Sequence, residues 1–207
     1  MIIAIDGPAA SGKGTLARKI AAHYELHYLD TGSLYRAVAN EVLKAGRDPN
    51  DTSAAFSAAE LLDVDRIEHG QIRSAAVGQA ASIVAAKPEV RAAILQIQRD
   101  YAARKPGAVL DGRDIGTVVC PDADVKLFVT ASPEVRAHRR WQELNATGHP
   151  VDEAEVLAEI RERDLRDMSR DIAPLRQAED AYLLDTSNLD IEAAFDTAVG
   201  IIESARK

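Results

Sequence analysis

A short apolar run, Ile2-Ile3-Ala4-Ile5, leads into Gly7-Pro8-Ala9-Ala10-Ser11-Gly12-Lys13-Gly14-Thr15, and a helical pattern follows. Few features constrain a chain more. Glycines let the backbone curl until successive N–H groups point inward. The helix that follows adds unpaired N–H groups and the positive end of its dipole. Lys13 sets a full charge over the outer phosphates of a nucleotide. In its strand–loop–helix context this is a phosphate-binding loop. One position departs from the usual pattern: Gly14, not Ser or Thr, follows the lysine, and Thr15 comes next. Contact between Thr15 and Mg2+ through water is then the alternative to direct ligation by its hydroxyl.

Along the rest of the chain, apolar runs alternate with helical stretches in the β-α-β-α order of a parallel sheet. Strands are expected at Met1–Ile5, His27–Leu29, Gly107–Asp111, Val125–Thr130 and Tyr182–Asp185. Helices are expected at Lys13–His23, with Leu16, Ala17 and Ile20 on one face, and at Leu34–Leu43, Ala75–Ala86 and Pro88–Arg104. Pro88 suits the first helical position, where its missing N–H costs nothing. Ser132-Pro133 starts another helix, to about Leu144; Asp152 with Glu155 resembles a capping box opening one that runs to Met168; Asp190 caps the last. Residues 48–73, with Pro49 and a polar His69-Gly70-Gln71 turn, resist assignment, and 145–150 reads as a loop.

Composition narrows the function. The chain has 207 residues, 46% hydrophobic and 28% charged, enough for a sizeable core and against disorder. No apolar run reaches the roughly 18 residues of a membrane span, and no basic leader precedes the first strand, so neither a span nor a signal peptide is expected. A lone Cys120 cannot form an internal disulfide and reads as a small buried residue in a reducing compartment, the cytoplasm. Five histidines show no metal-ligand spacing. A net charge of −8 argues against nucleic acid or an acidic membrane as partner. Yet Arg supplies 18 of the 25 basic residues. Arg grips phosphate bidentately and never loses its charge, so an acidic chain rich in Arg points to a small internal anion site.

Three further stretches carry chemistry. Val109-Leu110-Asp111-Gly112-Arg113-Asp114 is an apolar strand ending in an acid, where ligands of open α/β sheets sit. Asp111 is placed to orient Mg2+ or its waters, Arg113 to reach a phosphate, and Asp114 to accept from an Arg or a base amino group. Asp30-Thr31-Gly32-Ser33-Leu34-Tyr35-Arg36 follows the second strand, and Arg36 falls near the same sheet edge as a grip on a second, acceptor phosphate. Arg163, Asp167 and Arg170 share one helix face, and Arg136, His138, Arg139 and Arg140 precede the loop at Gly148; together they read as a mobile Arg-bearing lid. The competing accounts are ordinary: a helix cap with a solvated Arg at Arg36, and i,i+4 pairs Glu162–Arg166 and Arg163–Asp167 on a wet face. A nucleotide-switched binding protein of the GTPase type would want an Asn-Lys-x-Asp stretch, and the sequence has none.

On these motifs the chain resembles bacterial cytidylate kinases. The matching stretches are Ile5 to Pro8 with Gly12 to Thr15, Leu29 to Gly32 with Tyr35-Arg36, Ile72-Arg73-Ser74, Val84-Ala85-Ala86 with Val90-Arg91, Asp111 to Val119, Arg136 to Arg140, and Glu162 to Arg170. The resemblance implies a three-layer α/β/α fold with a five-stranded parallel sheet in a single domain over 1–207. It places the core at 1–34 and 106–207, a monophosphate-binding insert at about 35–105 and a short lid at about 139–150. It implies phosphorylation of CMP and dCMP by ATP with Mg2+; nothing in the sequence demands more than a monomer, and the rival within enzymes is another small P-loop kinase acting on UMP, shikimate or dephospho-coenzyme A. By position, Gly7 to Thr15 and Arg139 would bind ATP, with the Thr186-Ser187-Asn188 loop flanking adenine. Thr31, Arg36, Arg113 and Arg170 would hold the acceptor phosphate. Ser82, Arg91 and Asp114 would read cytosine, and Arg163 and Asp167 would lie near the ribose and phosphates. Lys13, Arg113, Arg163 and Arg170 would be catalytic, and Thr15 and Asp111 would approach the metal through water. In one respect the chain departs from its relatives: only Leu62 to Gln71 stands where they commonly carry a longer, strand-containing insert.

Overall fold

A computed structural model describes residues 1–206 apart from 69, 73, 147, 149 and 150. Five strands, β1 (Ile2–Asp6), β2 (His27–Asp30), β3 (Ala108–Gly112), β4 (Val125–Thr130) and β5 (Tyr182–Asp185), form one parallel sheet in the order β2-β3-β1-β4-β5. Pleating sends alternate side chains to opposite faces. On one face Ala4, Leu29 and Leu110 meet α2 (Thr31–Lys44), α4 (Ala75–Val84) and α5 (Pro88–Ala102). On the other, Ile3, Ile5, Val109, Leu127 and Leu184 meet α1 (Lys13–His23) and α8 (Ile191–Ala205). Both faces are covered, which is why the central strands read as continuous apolar runs. No helix among the described residues is long and apolar enough to cross a membrane.

The chain leaves β1 toward β2 and β3, then crosses back beyond β1 to β4 and β5. A crevice therefore opens at the carboxyl ends of β1 and β3, where this fold class binds ligands. Asp6 and Asp30 end their strands at that edge, and Asp111 stands one residue before the end of β3.

Helix starts follow their caps. Asp30 accepts from the Ser33 N–H and starts α2 at Thr31, three residues before the expected Leu34. Asp51 accepts from the Ala54 N–H and opens α3 (Thr52–Glu60), a helix within the stretch that resisted assignment. Its only buried residues are Ala55 and Ala59, so it carries no apolar stripe to read. Beyond α3 lies one 3-10 turn, Val64–Arg66, and no strand appears among the described residues of the insert. Helix α6 (Pro133–Ala146) runs past the expected Leu144, and α7 spans Glu153–Ser169. Asp152 caps α7 through the Ala154 N–H, and Asp190 caps α8 as expected. Arg73 of the Ile-Arg-Ser segment, His69 of the polar turn, and Thr147, His149 and Pro150 of the expected loop lie outside the described residues.

Candidate active site

The phosphate loop is built from strained backbone. Ala10 has φ 58° and Gly12 φ 84°, both left-handed, the alternation that turns amide N–H groups into an anion-binding nest. Ala10 is a non-glycine residue in that region, a strain characteristic of ligand clamps. Gly7 must be glycine, since a Cβ there would fall 2.0 Å from the Val129 carbonyl oxygen. Lys13 opens α1, is buried, and donates from Nζ to the Pro8 carbonyl at 3.2 Å. Burial, with Arg113 nearby, pushes its pKa down to about 7.

Opposite the loop lies a cavity of about 230 Å³. Ala9, Ala10, Lys13 and Gly14 line its donor side; Thr31, Tyr35 and Arg36 of α2, Ala81, Ser82 and Ala85 around α4, and Arg91 of α5 line the other. The end of β3 contributes Asp111, Arg113 and Asp114, and α7 with the residue after it contributes Arg163, Asp167 and Arg170. The side chains of Arg36, Arg113 and Arg170 are 25%, 16% and 8% exposed. They turn into the cavity, which disposes of the solvated-Arg alternative at Arg36.

Carboxylates pin these cations. Arg36 donates to Asp30 at 2.5 Å, Arg113 Nε to Asp167 at 2.8 Å, and Arg91 to Asp114. Glu162 and Arg166 form the expected surface pair at 2.5 Å, whereas Asp167 bonds Arg113 rather than Arg163. Burial tends to raise Asp167, but Arg113, Arg163 and Arg170 outweigh it and hold the carboxylate below its usual range. Burial and the Arg113 charge push Arg163 down to about 10.

Four buried side-chain atoms among the described residues have no hydrogen-bond partner, and three of them, Ser82 Oγ, Arg163 Nε and Arg170 Nη2, belong to residues lining this cavity. An unpaired buried polar group costs about 1–3 kcal/mol. Three such atoms belong to residues around one cavity, where a polar group placed in it would meet them.

Other expected residues take different places. The Thr31 hydroxyl donates to the Asp111 carbonyl at 2.8 Å, so Thr31 lines the cavity with its hydrogen already used. Thr15 is exposed and outside the cavity lining, whereas the Gly14 position faces Asp111, 3.7 Å from a Cβ placed there. Asp111 is raised to about 6, by burial and then by Asp30, and accepts from the Tyr28 hydroxyl at 2.8 Å.

The basic residues of 136–140 do not form one lid cluster. Arg136 is buried and donates to the Ala131 and Ala9 carbonyls and to both oxygens of Asp164. His138 meets Glu153, and Arg140 meets Glu143. Arg139 donates to the Thr186 and Leu189 carbonyls, which brings it, Gly12 and the Thr186-Ser187-Asn188 loop together behind the phosphate loop.

Sequence reasoning gave no role to Asp30 as an anchor, to Tyr28, to Tyr35 in the wall, or to Asp6, whose carboxylate accepts from Ile115 and Gly116 N–H groups. Asp6 carries the same signal as Asp111, an acid closing an apolar run.

The described residues contain no group of three His, Cys, Asp or Glu able to hold a metal ion by themselves. Asp111 and Asp30, paired across β3 and β2, are the strand-borne carboxylates that line the cavity. That donor set suits a cation completed by water and substrate phosphate oxygens, as Mg2+ prefers.

A family described as cytidylate kinase matches residues 3–204. A cytidylate kinase of Rhodopseudomonas palustris is 59% identical over 206 residues, covering 100% of this chain and 97% of that protein. One from Methylocella silvestris is 60% identical over 205 residues, covering 99% and 95%. Among solved structures, an uncharacterized protein from Eubacterium ventriosum aligns over 99% of both chains with a TM-score of 0.58 at 17% identity. A gluconokinase from Sinorhizobium meliloti aligns over 98% of this chain and 91% of its own, with a TM-score of 0.50 at 15% identity. The structural likenesses speak to the fold alone.

Proposed function

The chain belongs to the cytidylate kinase family, and from that premise we propose that it transfers the γ-phosphoryl group of ATP to CMP and dCMP. One observation carries the reading: a main-chain anion nest with Lys13 faces a guanidinium cluster across a single 230 Å³ cavity whose buried donors lack partners. Two facing anion sites suit an acceptor that already bears a phosphate, and disfavour a neutral alcohol such as shikimate.

In this reading Gly7 to Gly14 and Lys13 cradle the ATP phosphates, with Arg139 and the Thr186-Ser187-Asn188 loop on the adenine side. Arg36, Arg113 and Arg170 hold the CMP phosphate, and Thr31 fixes the wall beside it. Ser82, Arg91 and Asp114 read cytosine. A base that mismatches them leaves buried polar groups unpaired, which is how such a pocket discriminates. Asp167 lies near the ribose. An acceptor phosphate oxygen attacks in line, and the bond from the γ-phosphorus to the bridging oxygen breaks, leaving ADP. Little covalent chemistry falls to the protein; Lys13, Arg113, Arg163 and Arg170 align the groups and neutralise charge as it spreads. Mg2+, when bound with ATP, would be held by Asp111 through water, with Thr15 farther out, and would neutralise the outer phosphates. The unit is read as a catalytic monomer, working in the cytoplasm where its nucleotides are.

A coupled ADP-release assay over all common nucleoside monophosphates tests this. Turnover with CMP and dCMP should exceed that with UMP, AMP and GMP. No turnover of CMP or dCMP alongside a preferred other acceptor overturns the substrate.

A further inference from the structure

Asp6 ends β1 and immediately precedes the glycine that opens the phosphate loop. It is 5% exposed and does not line the cavity. Both its oxygens are nonetheless engaged across the fold. Oδ1 accepts from the Ile115 N–H at 2.7 Å and Oδ2 from the Gly116 N–H at 2.8 Å. These are the first two residues of a π-turn, Ile115–Val119, whose leading N–H groups have no partner inside the turn.

Arg113 and Asp114 stand directly before that turn. Strand pairing does not hold them, because the β1–β3 register ends at Asp6 and Gly112. Asp114 is neither helical nor extended, with φ −146° and ψ 25°. Its carbonyl accepts from Val118 and Val119, which ties it to the turn and not to the sheet. The turn itself is confined: a Cβ on Gly116 would lie 3.0 Å from Lys126 Cδ and 3.5 Å from Asp6 Oδ2. On its other side Asp6 joins Gly7, wedged against the Val129 carbonyl.

We propose that Asp6 is a positioning residue that locks the Arg113–Asp114 segment to the start of the phosphate loop, fixing the acceptor's guanidinium and base-reading carboxylate relative to the donor cradle. The proposal rests on the reading of the cavity as the CMP site and assigns a residue that sets its geometry. The chemistry is specific. Two adjacent N–H donors need two acceptors on one side chain, which a carboxylate offers and an amide does not. Asp6→Asn keeps the size and turns one acceptor into a donor facing another donor.

The test is steady-state kinetics with each substrate varied at saturation of the other, on wild type, Asp6→Asn and Asp6→Glu, with thermal melts alongside. For Asp6→Asn the KM for CMP should rise, with a fall in kcat, by about 5- to 100-fold in kcat/KM, the factor one unpaired buried donor costs. The KM for ATP should stay within about twofold, and Asp6→Glu, which restores both acceptors, should recover part of the loss. Equal changes in both KM values, or no change, overturn the proposal. If Asp6→Asn does not fold, amide hydrogen exchange on the wild type decides: CMP should slow exchange at Ile115 and Gly116 by about tenfold or more, and an absence of slowing overturns it. A wild type that never turns over CMP takes down the substrate reading first, and this proposal with it.

Discussion

Asp6 shows how one side chain can be expensive and retained. Burial pushes its carboxyl up to about 7, against the hydrogen bonds from Gly116 and Ile115 that pull the other way, and Asp114 adds to the rise. The ordinary value is 3.8. Between those two values the native state holds a proton that the unfolded chain has already released. Stability contributed at this position is therefore greatest below pH 4, falls as pH rises from about 4 to about 7, and levels off above. Three pKa units correspond to about 4 kcal/mol over the window. Asp6→Asn removes the titration. The variant's stability minus that of the wild type, from urea melts at steps between pH 4 and 8, should climb across the window and then flatten; a difference independent of pH would show that the carboxylate is ionised at no such cost. Ser82 follows the same logic on a smaller scale, a buried hydroxyl without a partner in the wall of the cavity.

At the scale of elements, ion pairs join α6 and α7, at the surface between Arg161 and Glu134 and in the interior between Arg136 and Asp164. Arg136, 3% exposed, reaches the Ala9 carbonyl of the phosphate loop, the Ala131 carbonyl after β4, and Asp164, next to Arg163 on α7. The clamp sets how far α7, with Arg163 and Asp167, stands from the donor cradle. Removing one member of a buried pair strands the other charge, so Arg136→Ala should destabilise the fold by about 3–5 kcal/mol in denaturant melts. Arg136→Lys, lacking the planar fork, should recover less than half of that and keep a reduced kcat. An Arg136→Ala protein as stable and active as wild type would show the clamp to be idle. The sequence makes the helices and strand ends legible because apolar period and sheet topology act locally: Arg36, Arg113, Arg163 and Arg170 reach the cavity for that reason. Arg136 is different. It shares a helix face with Arg140 by spacing, yet α6 starts beneath the phosphate loop and ends at the surface, so one is buried and the other pairs with exposed Glu143. Helix α3 hides because its core contacts are made by alanines. The Asp6–Ile115 and Arg113–Asp167 pairings hide because they join residues 109 and 54 apart, which no local pattern announces.

As a whole, the molecule carries a net charge of −8 and yet packs Arg36, Arg91, Arg113, Arg163 and Arg170 around 230 Å³. Those cations press on one another: burial and Arg91 lower Arg170, and burial and Arg113 lower both Lys13 and Arg163. The cost is borne by the entire fold, and a phosphate-bearing ligand should offset it. At about 100 times its Kd, CMP should add about 2.7 kcal/mol to global stability. For a chain of this size that is a rise in Tm of about 5–10 °C in a thermal scan. Arg170→Met separates the site from the scaffold. It removes a buried Nη2 that has no hydrogen-bond partner and a like-charge neighbour of Arg91, while losing the bond from Nε to the Ala173 carbonyl and a long ion pair, 3.8 Å, to Asp114, which keeps its bond from Arg91. Its Tm without nucleotide should therefore lie within about 3 °C of wild type, the span of one modest hydrogen bond, while the CMP-induced rise is largely lost. The opposite pattern, a markedly lower Tm with the CMP shift intact, would make Arg170 part of the scaffold and leave the guanidinium cluster without its function.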